Sequence, residues 1–173
     1  IQAAIGQSDN AFTPLQLATY CATIANNGTR LKTHLVKQVT NYNRDQVISE
    51  TEPEVVAQVD ISEENLKTVQ EAMKGVTQSG GTANSVFGDY GITIAAKTGT
   101  AENPGHSDNV TFIAYAPYDD PEIAVAVVLE YGSRGTYAMN VAKDIFDAYF
   151  YGKTVDENGN LVMPEDTNSS GTA

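Results

Sequence analysis

Cysteine occurs once in the 173 residues, as Cys21, so no disulfide can form within the chain. Basic residues are scarce too: 10 Lys and Arg stand against 22 Asp and Glu, a formal charge of −12. Gripping a phosphate backbone needs a basic surface, so nucleic acid is not expected as a partner, and the acidity reads as a solubilising surface. No apolar run approaches the ~20 residues that span a bilayer, and no signal peptide is visible. Histidines are limited to His34 and His106, in strand-like and loop-like stretches without ligand spacing, and no His/Cys/Asp cluster has a coordination spacing. Neither a metal nor a cofactor is expected. Methionine is missing from the start as well. Opening on Ile1-Gln2 suggests a processed product, a proteolytic piece or an engineered segment, so the lack of an anchor carries no weight.

What is present has a globular balance: 41% hydrophobic, 18% charged, and a length that suits one domain with a real core. Thr13-Pro14 reads as an N-cap with proline at the first helical position, and Leu17, Cys21, Ile24 and Ala25 recur at helical spacing up to Asn26-Asn27-Gly28. Leu31 to Val39 and Gln46 to Ser49 look like strands of an exposed hairpin joined through Asn41 to Asp45. Ser62 caps a second helix with Glu63 and Glu64 on its first turn, and Leu66, Val69, Met73 and Val76 form its stripe. Strands are expected at about 92–98, Val110–Ala116 and Ile123–Leu129, joined by short turns into an antiparallel meander. The last of these is a continuous apolar run, as suits a strand covered on both faces. Tyr137 to Tyr151 reads as a final helix with Ala138, Val141, Ile145 and Tyr149 on one stripe, ending at Gly152. These elements make an α+β chain, an antiparallel sheet flanked by helices, over residues 1–152. The polar remainder, 153–173, is expected to be poorly ordered.

The stretch from Ile92 to Ala101 carries the chemistry. An alternating apolar run leads into Lys97-Thr98-Gly99-Thr100, with the lysine taken to end the strand. There the lysine offers positive charge, the threonines offer donors, and Gly99 permits close approach of another backbone. Gly91 to Thr98 nearly matches a phosphate-binding loop, but Ala96 replaces the second glycine and Asn103-Pro104-Gly105 stands where a helix should open; that reading is rejected. Cys21 falls on a buried helical stripe and reads as a core thiol. Asp119-Asp120 and Glu63-Glu64 suit turn and helix-dipole roles. Nothing in the chain alone completes a catalytic set.

Taken in order, Ile5-Gly6-Gln7, Thr13-Pro14-Leu15-Gln16-Leu17-Ala18, Ile24-Ala25-Asn26-Asn27-Gly28, Ala96-Lys97-Thr98-Gly99-Thr100-Ala101-Glu102 and Phe112-Ile113-Ala114-Tyr115-Ala116-Pro117 resemble the C-terminal half of penicillin-binding protein transpeptidases, especially the class B, elongation-type ones. The resemblance implies the penicillin-binding protein/β-lactamase-like fold and an acyl-serine enzyme that cross-links peptidoglycan stem peptides ending in D-Ala-D-Ala, with β-lactams as mimics. It further implies that Lys97 shapes the electrostatics and contacts the serine of a middle motif. Thr98 and Thr100 would bind the ligand carboxylate, Gly99 would lie between them, and the Thr100 N–H would be one oxyanion donor. The same resemblance places the protein on the extracytoplasmic face of the bacterial membrane, anchored through a segment preceding this one.

Departures from the family pattern are as informative. No Ser-x-x-Lys occurs in the chain. Ser8-Asp9-Asn10 and Ser107-Asp108-Asn109 imitate the middle motif, but neither stands at its place in the order, and both read as loop residues. The expectation is thus a fragment that carries the third motif, lacks the nucleophile, is silent alone, and needs the preceding half of its domain as partner or else self-associates. A serine β-lactamase, a β-lactam sensor domain and a non-catalytic peptide-binding module remain alternative readings.

Overall fold

Two helix starts in this protein follow local side-chain chemistry. The computed structural model describes residues 10–164, and in it helix α1 (Pro14–Ala25) opens on a complete capping box. The Thr13 Oγ1 accepts from the Gln16 N–H at 3.2 Å, and the Gln16 side chain accepts from the Thr13 N–H at 2.8 Å. Ser62 caps helix α2 (Glu63–Gly75) with a single bond, its Oγ accepting from the Asn65 N–H at 3.3 Å.

In chain order, β1 (Thr29–Leu31), β2 (Gln38–Thr40), β3 (Val47–Glu50) and β4 (Val55–Gln58) come next, then α2 (Glu63–Gly75) and the single turn α3 (Asn84–Phe87). Strands β5 (Ala95–Ala101), β6 (Asn109–Ala116) and β7 (Ile123–Leu129) follow. The chain goes on through α4 (Gly135–Tyr151) to a small hairpin of β8 (Thr154–Val155) and β9 (Leu161–Val162).

Strands β5, β6 and β7 form an antiparallel sheet in that order, with Thr98 opposite Phe112 and Ile113 opposite Ala126. Alternation along β6 sorts its side chains into two cores. Val110, Phe112, Ala114 and Ala116 join Ala83 and Phe87 and the α4 residues Ala138, Met139, Ala142 and Phe146. Ile113 and Tyr115 face the other way, toward Cys21, Ile24 and Ala25 of α1 and Leu66 and Met73 of α2. The sheet is therefore covered on both faces, which explains the unbroken apolar run of β7. Phe87 stacks on Phe112 at 5.6 Å and meets Phe146 edge-on at 6.3 Å, locking α3 between sheet and helix.

Several expected boundaries moved. The run from Leu31 to Val39 is not one strand: β1 pairs with β4, and β2 pairs with β3, with residues 32–37 crossing between the two ladders. Partner position decided this, since each ladder needs an opposing strand that local sequence does not name. Strand β5 begins at Ala95, not near 92, and runs to Ala101, so Lys97 lies inside the ladder opposite Ile113 and does not end the strand. On α4 the buried face is Ala138, Met139, Ala142 and Phe146, while Val141, Ile145 and Tyr149 are exposed. That helix is apolar around much of its circumference, and the face with two alanines is the one that lets it approach the sheet closely. Val69 of α2 is likewise exposed. Part of the polar stretch after 152 forms the β8–β9 hairpin, turned by Asp156, whose carboxylate accepts from the Asn158 and Asn160 N–H groups at 2.9 and 2.7 Å.

Candidate active site

Lys97, Thr98, Gly99 and Thr100 occupy the middle of β5, whose second edge has no partner strand among the described residues. Alternation places Lys97 and Gly99 on the face of Ala95, toward α1 and α2, and Thr98 and Thr100 on the face of Ala96, toward α3 and α4. Lys97 is exposed, and its Nζ donates to the carbonyl of the adjacent Thr98 at 2.6 Å. The exposed ammonium thus curls back over the strand, which brings charge to an edge that also carries the threonine hydroxyls.

Thr98 has a second partner that sequence reasoning missed. Its Oγ1 lies 3.1 Å from the Oγ1 of Thr82, in the turn that follows α2. Only a hydroxyl in a Gly-rich connection hinted at this contact, and such a residue is unremarkable in sequence. Gly99 is not demanded by its own chain, because a Cβ there would meet Thr111 Cβ at 3.5 Å and its carbonyl oxygen at 3.7 Å, ordinary contacts.

Other candidates separate from this edge. Cys21 is fully buried in the α1–α2 core, and desolvation pushes its thiol up to about 12, so it stays protonated and unreactive at neutral pH. His34 lies in the 32–37 crossing between the two ladders with its Nδ1 2.9 Å from the Val36 carbonyl, and His106 packs its ring against Tyr131 at 5.1 Å. Among the described residues no group of three or more His, Cys, Asp or Glu side chains is placed to hold a metal ion. The string Ser107-Asp108-Asn109 serves as a tie: the Asp108 carbonyl accepts from the Ser133 N–H at 3.1 Å and the Asn109 side chain accepts from the Tyr131 N–H at 2.9 Å. Ile5-Gly6-Gln7 and Ser8-Asp9 lie outside the described residues.

A buried charge cluster braces the opposite face. Asp147 on α4 accepts from Tyr90 at 2.8 Å, Lys143 at 2.8 Å and Lys153 at 2.7 Å. Burial pushes its carboxyl upward, but the hydrogen bonds from the two lysines and the tyrosine outweigh burial and hold it below the usual carboxylate range. Tyr90 precedes β5 by only five residues, so its bond to Asp147 ties α4 to the segment that leads into the strand.

A helix-covered antiparallel sheet with a Lys-Thr-Gly string on an edge strand is the arrangement expected of serine acyltransferases built on Ser-x-x-Lys, Ser-Asp-Asn and Lys-Thr-Gly motifs. Within that class the chain belongs to the penicillin-binding protein transpeptidase family: a family model, the penicillin binding protein transpeptidase domain, matches residues 1–150. It is 37% identical over 166 residues to penicillin-binding protein 2A of Bacillus subtilis, covering 85% of this chain and 23% of that protein. To the peptidoglycan D,D-transpeptidase PbpA of Mycolicibacterium smegmatis it is 38% identical over 135 residues, covering 74% of this chain and 26% of the relative. The fold is similar to penicillin-binding protein A of M. tuberculosis in its imipenem acyl-enzyme complex, with a TM-score of 0.73, 31% identity, and coverage of 86% of this chain and 33% of that one. The chain thus spans about a quarter of the length of the relatives it matches and is a partial transpeptidase domain.

Proposed function

We propose that strand β5 is the carboxylate-recognising wall of a peptidoglycan D,D-transpeptidase site, and that residues 1–152 are the C-terminal part of that domain. One observation carries the reading: an ammonium and two hydroxyls share one strand whose outer edge is left unpaired among the described residues. An unpaired strand edge offers backbone donors and acceptors to an extended peptide, and charge beside it selects a peptide that ends in a carboxylate. Related proteins bear the name peptidoglycan D,D-transpeptidase, and a solved relative is described as a penicillin G acyl-enzyme complex, which supports the stem peptide D-Ala-D-Ala terminus and its β-lactam mimics as ligands.

In this reading Thr98 and Thr100 donate to the ligand carboxylate, and Lys97 makes the potential there more positive and reaches the middle-motif serine. The N–H of Thr100 donates to the oxyanion that forms when a serine attacks the penultimate carbonyl. Removing one such donor costs about 3 kcal/mol of barrier. The attacking serine belongs to a Ser-x-x-Lys that these 173 residues do not contain. It resides in the preceding part of the protein, which also anchors the enzyme at the extracytoplasmic face of the membrane. Without that part the segment is catalytically silent and covers its apolar surface by self-association.

Fluorescent penicillin tests the proposal. The parent protein should be labelled covalently, and the 173-residue chain alone should not be; labelling of the isolated chain would refute the assignment of the nucleophile. In the parent, Lys97→Ala should slow acylation by about a hundredfold or more, and an unchanged rate would remove β5 from the site.

A further inference from the structure

We infer that Thr82, outside the Lys-Thr-Gly string, is a positioning residue that aims the Thr98 hydroxyl at the ligand carboxylate; this rests on the reading of β5 given above. The two Oγ1 atoms are 3.1 Å apart, and either can be the donor. Each hydroxyl has one proton to give and lone pairs to receive another. When Thr82 donates to Thr98, the Thr98 proton is free for an anion, and the two bonds run head to tail and polarise each other. When Thr98 donates to Thr82 instead, its proton is unavailable to a carboxylate. An arriving anion therefore selects the first arrangement, and a ligand without the negative charge has no such preference.

The position of Thr82 is built, not incidental. Its turn is wound so tightly that a Cβ on Gly81 would fall 2.2 Å from the Val76 carbonyl oxygen, and Gly80 adopts a φ of +85°. The Ala83 N–H donates to the Val76 carbonyl at 2.9 Å, and the Asn84 side chain donates to the Thr77 carbonyl at 3.1 Å. Thr77 in turn donates from its hydroxyl to the Ile94 carbonyl at 2.7 Å, just ahead of β5. Ala83 is fully buried in the α4-side core, immediately after Thr82. The turn is thus tethered to the β5 segment at Ile94 and again at Thr98. Thr82 itself is exposed, so the hydroxyl pair is open to a ligand from solvent.

The test uses the full parent protein and two probes, a penicillin and its carboxyl methyl ester, and reads the ratio of their acylation rate constants. Thr82→Val keeps the shape and removes the hydroxyl. It should lower the acid-to-ester ratio about five- to tenfold, the scale of one hydrogen bond in a charged network. Thr82→Ser should restore the ratio, and Thr82→Val combined with Thr98→Val should lose little more than Thr98→Val alone. A wild-type ratio in Thr82→Val, with a depressed ratio in Thr98→Val, would overturn the role of Thr82. An unchanged ratio in Thr98→Val would overturn the carboxylate reading of β5 itself. Because the ratio is taken within one protein, loss of folded material cancels. Should Thr82→Val not fold, a Thr82→Ala ratio equal to wild type would equally refute the proposal.

Discussion

Gly99 shows at the single-residue level how structure can point beyond the chain. Its surroundings leave ordinary van der Waals room for a methyl group, so nothing internal demands glycine there. Gly99→Ala should therefore leave stability unchanged or raise it by up to about 1 kcal/mol, as expected for relief of glycine in a strand. If β5 is the carboxylate-recognising wall proposed above, the same substitution should slow acylation of the parent by penicillin, because the methyl group would stand where a ligand backbone approaches. A thermal melt and an acylation time course check both halves, and an unaffected rate would mean that nothing approaches Gly99. Asp147 makes the complementary case for an internal role. Its folded-state pKa is depressed, so its stabilising contribution is present above the unfolded carboxylate value of about 4 and fades as pH falls through the lower folded value. Asp147→Ala should cost about 2 kcal/mol near neutral pH, the worth of charged hydrogen bonds. The gap from wild type, read from denaturant midpoints, should start to close below about pH 4.

At the scale of elements, local chemistry decided where α1 and α2 begin, and long-range pairing decided where strands do. Thr13 and Ser62 cap α1 and α2 as their sequences suggest, since a cap involves only neighbours within a turn. Thr13→Ala should remove the capping box and cost about 1 kcal/mol of stability, measured as a lowered denaturation midpoint. Strand limits have no such local rule. The Lys-Thr-Gly string moved from a strand end to mid-strand because β6 offers partners as far as Asn109, opposite Ala101. Likewise β1 finds β4 across a gap of more than twenty residues, a pairing that no turn signal announces. The α4 stripe was misassigned because several of its faces are apolar and periodicity cannot choose between them. Packing chose the alanine face, with Phe146 filling the space beside Phe87.

For the molecule as a whole, the exposed apolar surface is the main property. Phe12, Leu15 and Tyr20 are each more than half exposed beside a cleft of about 610 Å³ that Leu31, Val56 and Val59 also line. The isolated 173-residue chain should therefore sediment with a concentration-dependent mass, and Leu15→Glu should shift it toward the monomer. Sedimentation velocity decides this, and a single monomeric species at all concentrations would show that the surface needs no cover.

The order of apolar and polar residues by itself determined the helix caps, the three-stranded meander, the burial of Cys21 and the Lys97-Thr98-Gly99-Thr100 string, because each of these depends on neighbours along the chain. The absence of Ser-x-x-Lys from these 173 residues is also plain from the residues. Only the tertiary structure decided that β5 keeps one edge unpaired among the described residues, that Lys97 folds over Thr98, and that a turn more than ten residues upstream brings Thr82 to the same hydroxyl. Those facts arise from packing between segments distant in sequence, where the partner of a residue is set by the fold and not by its neighbours.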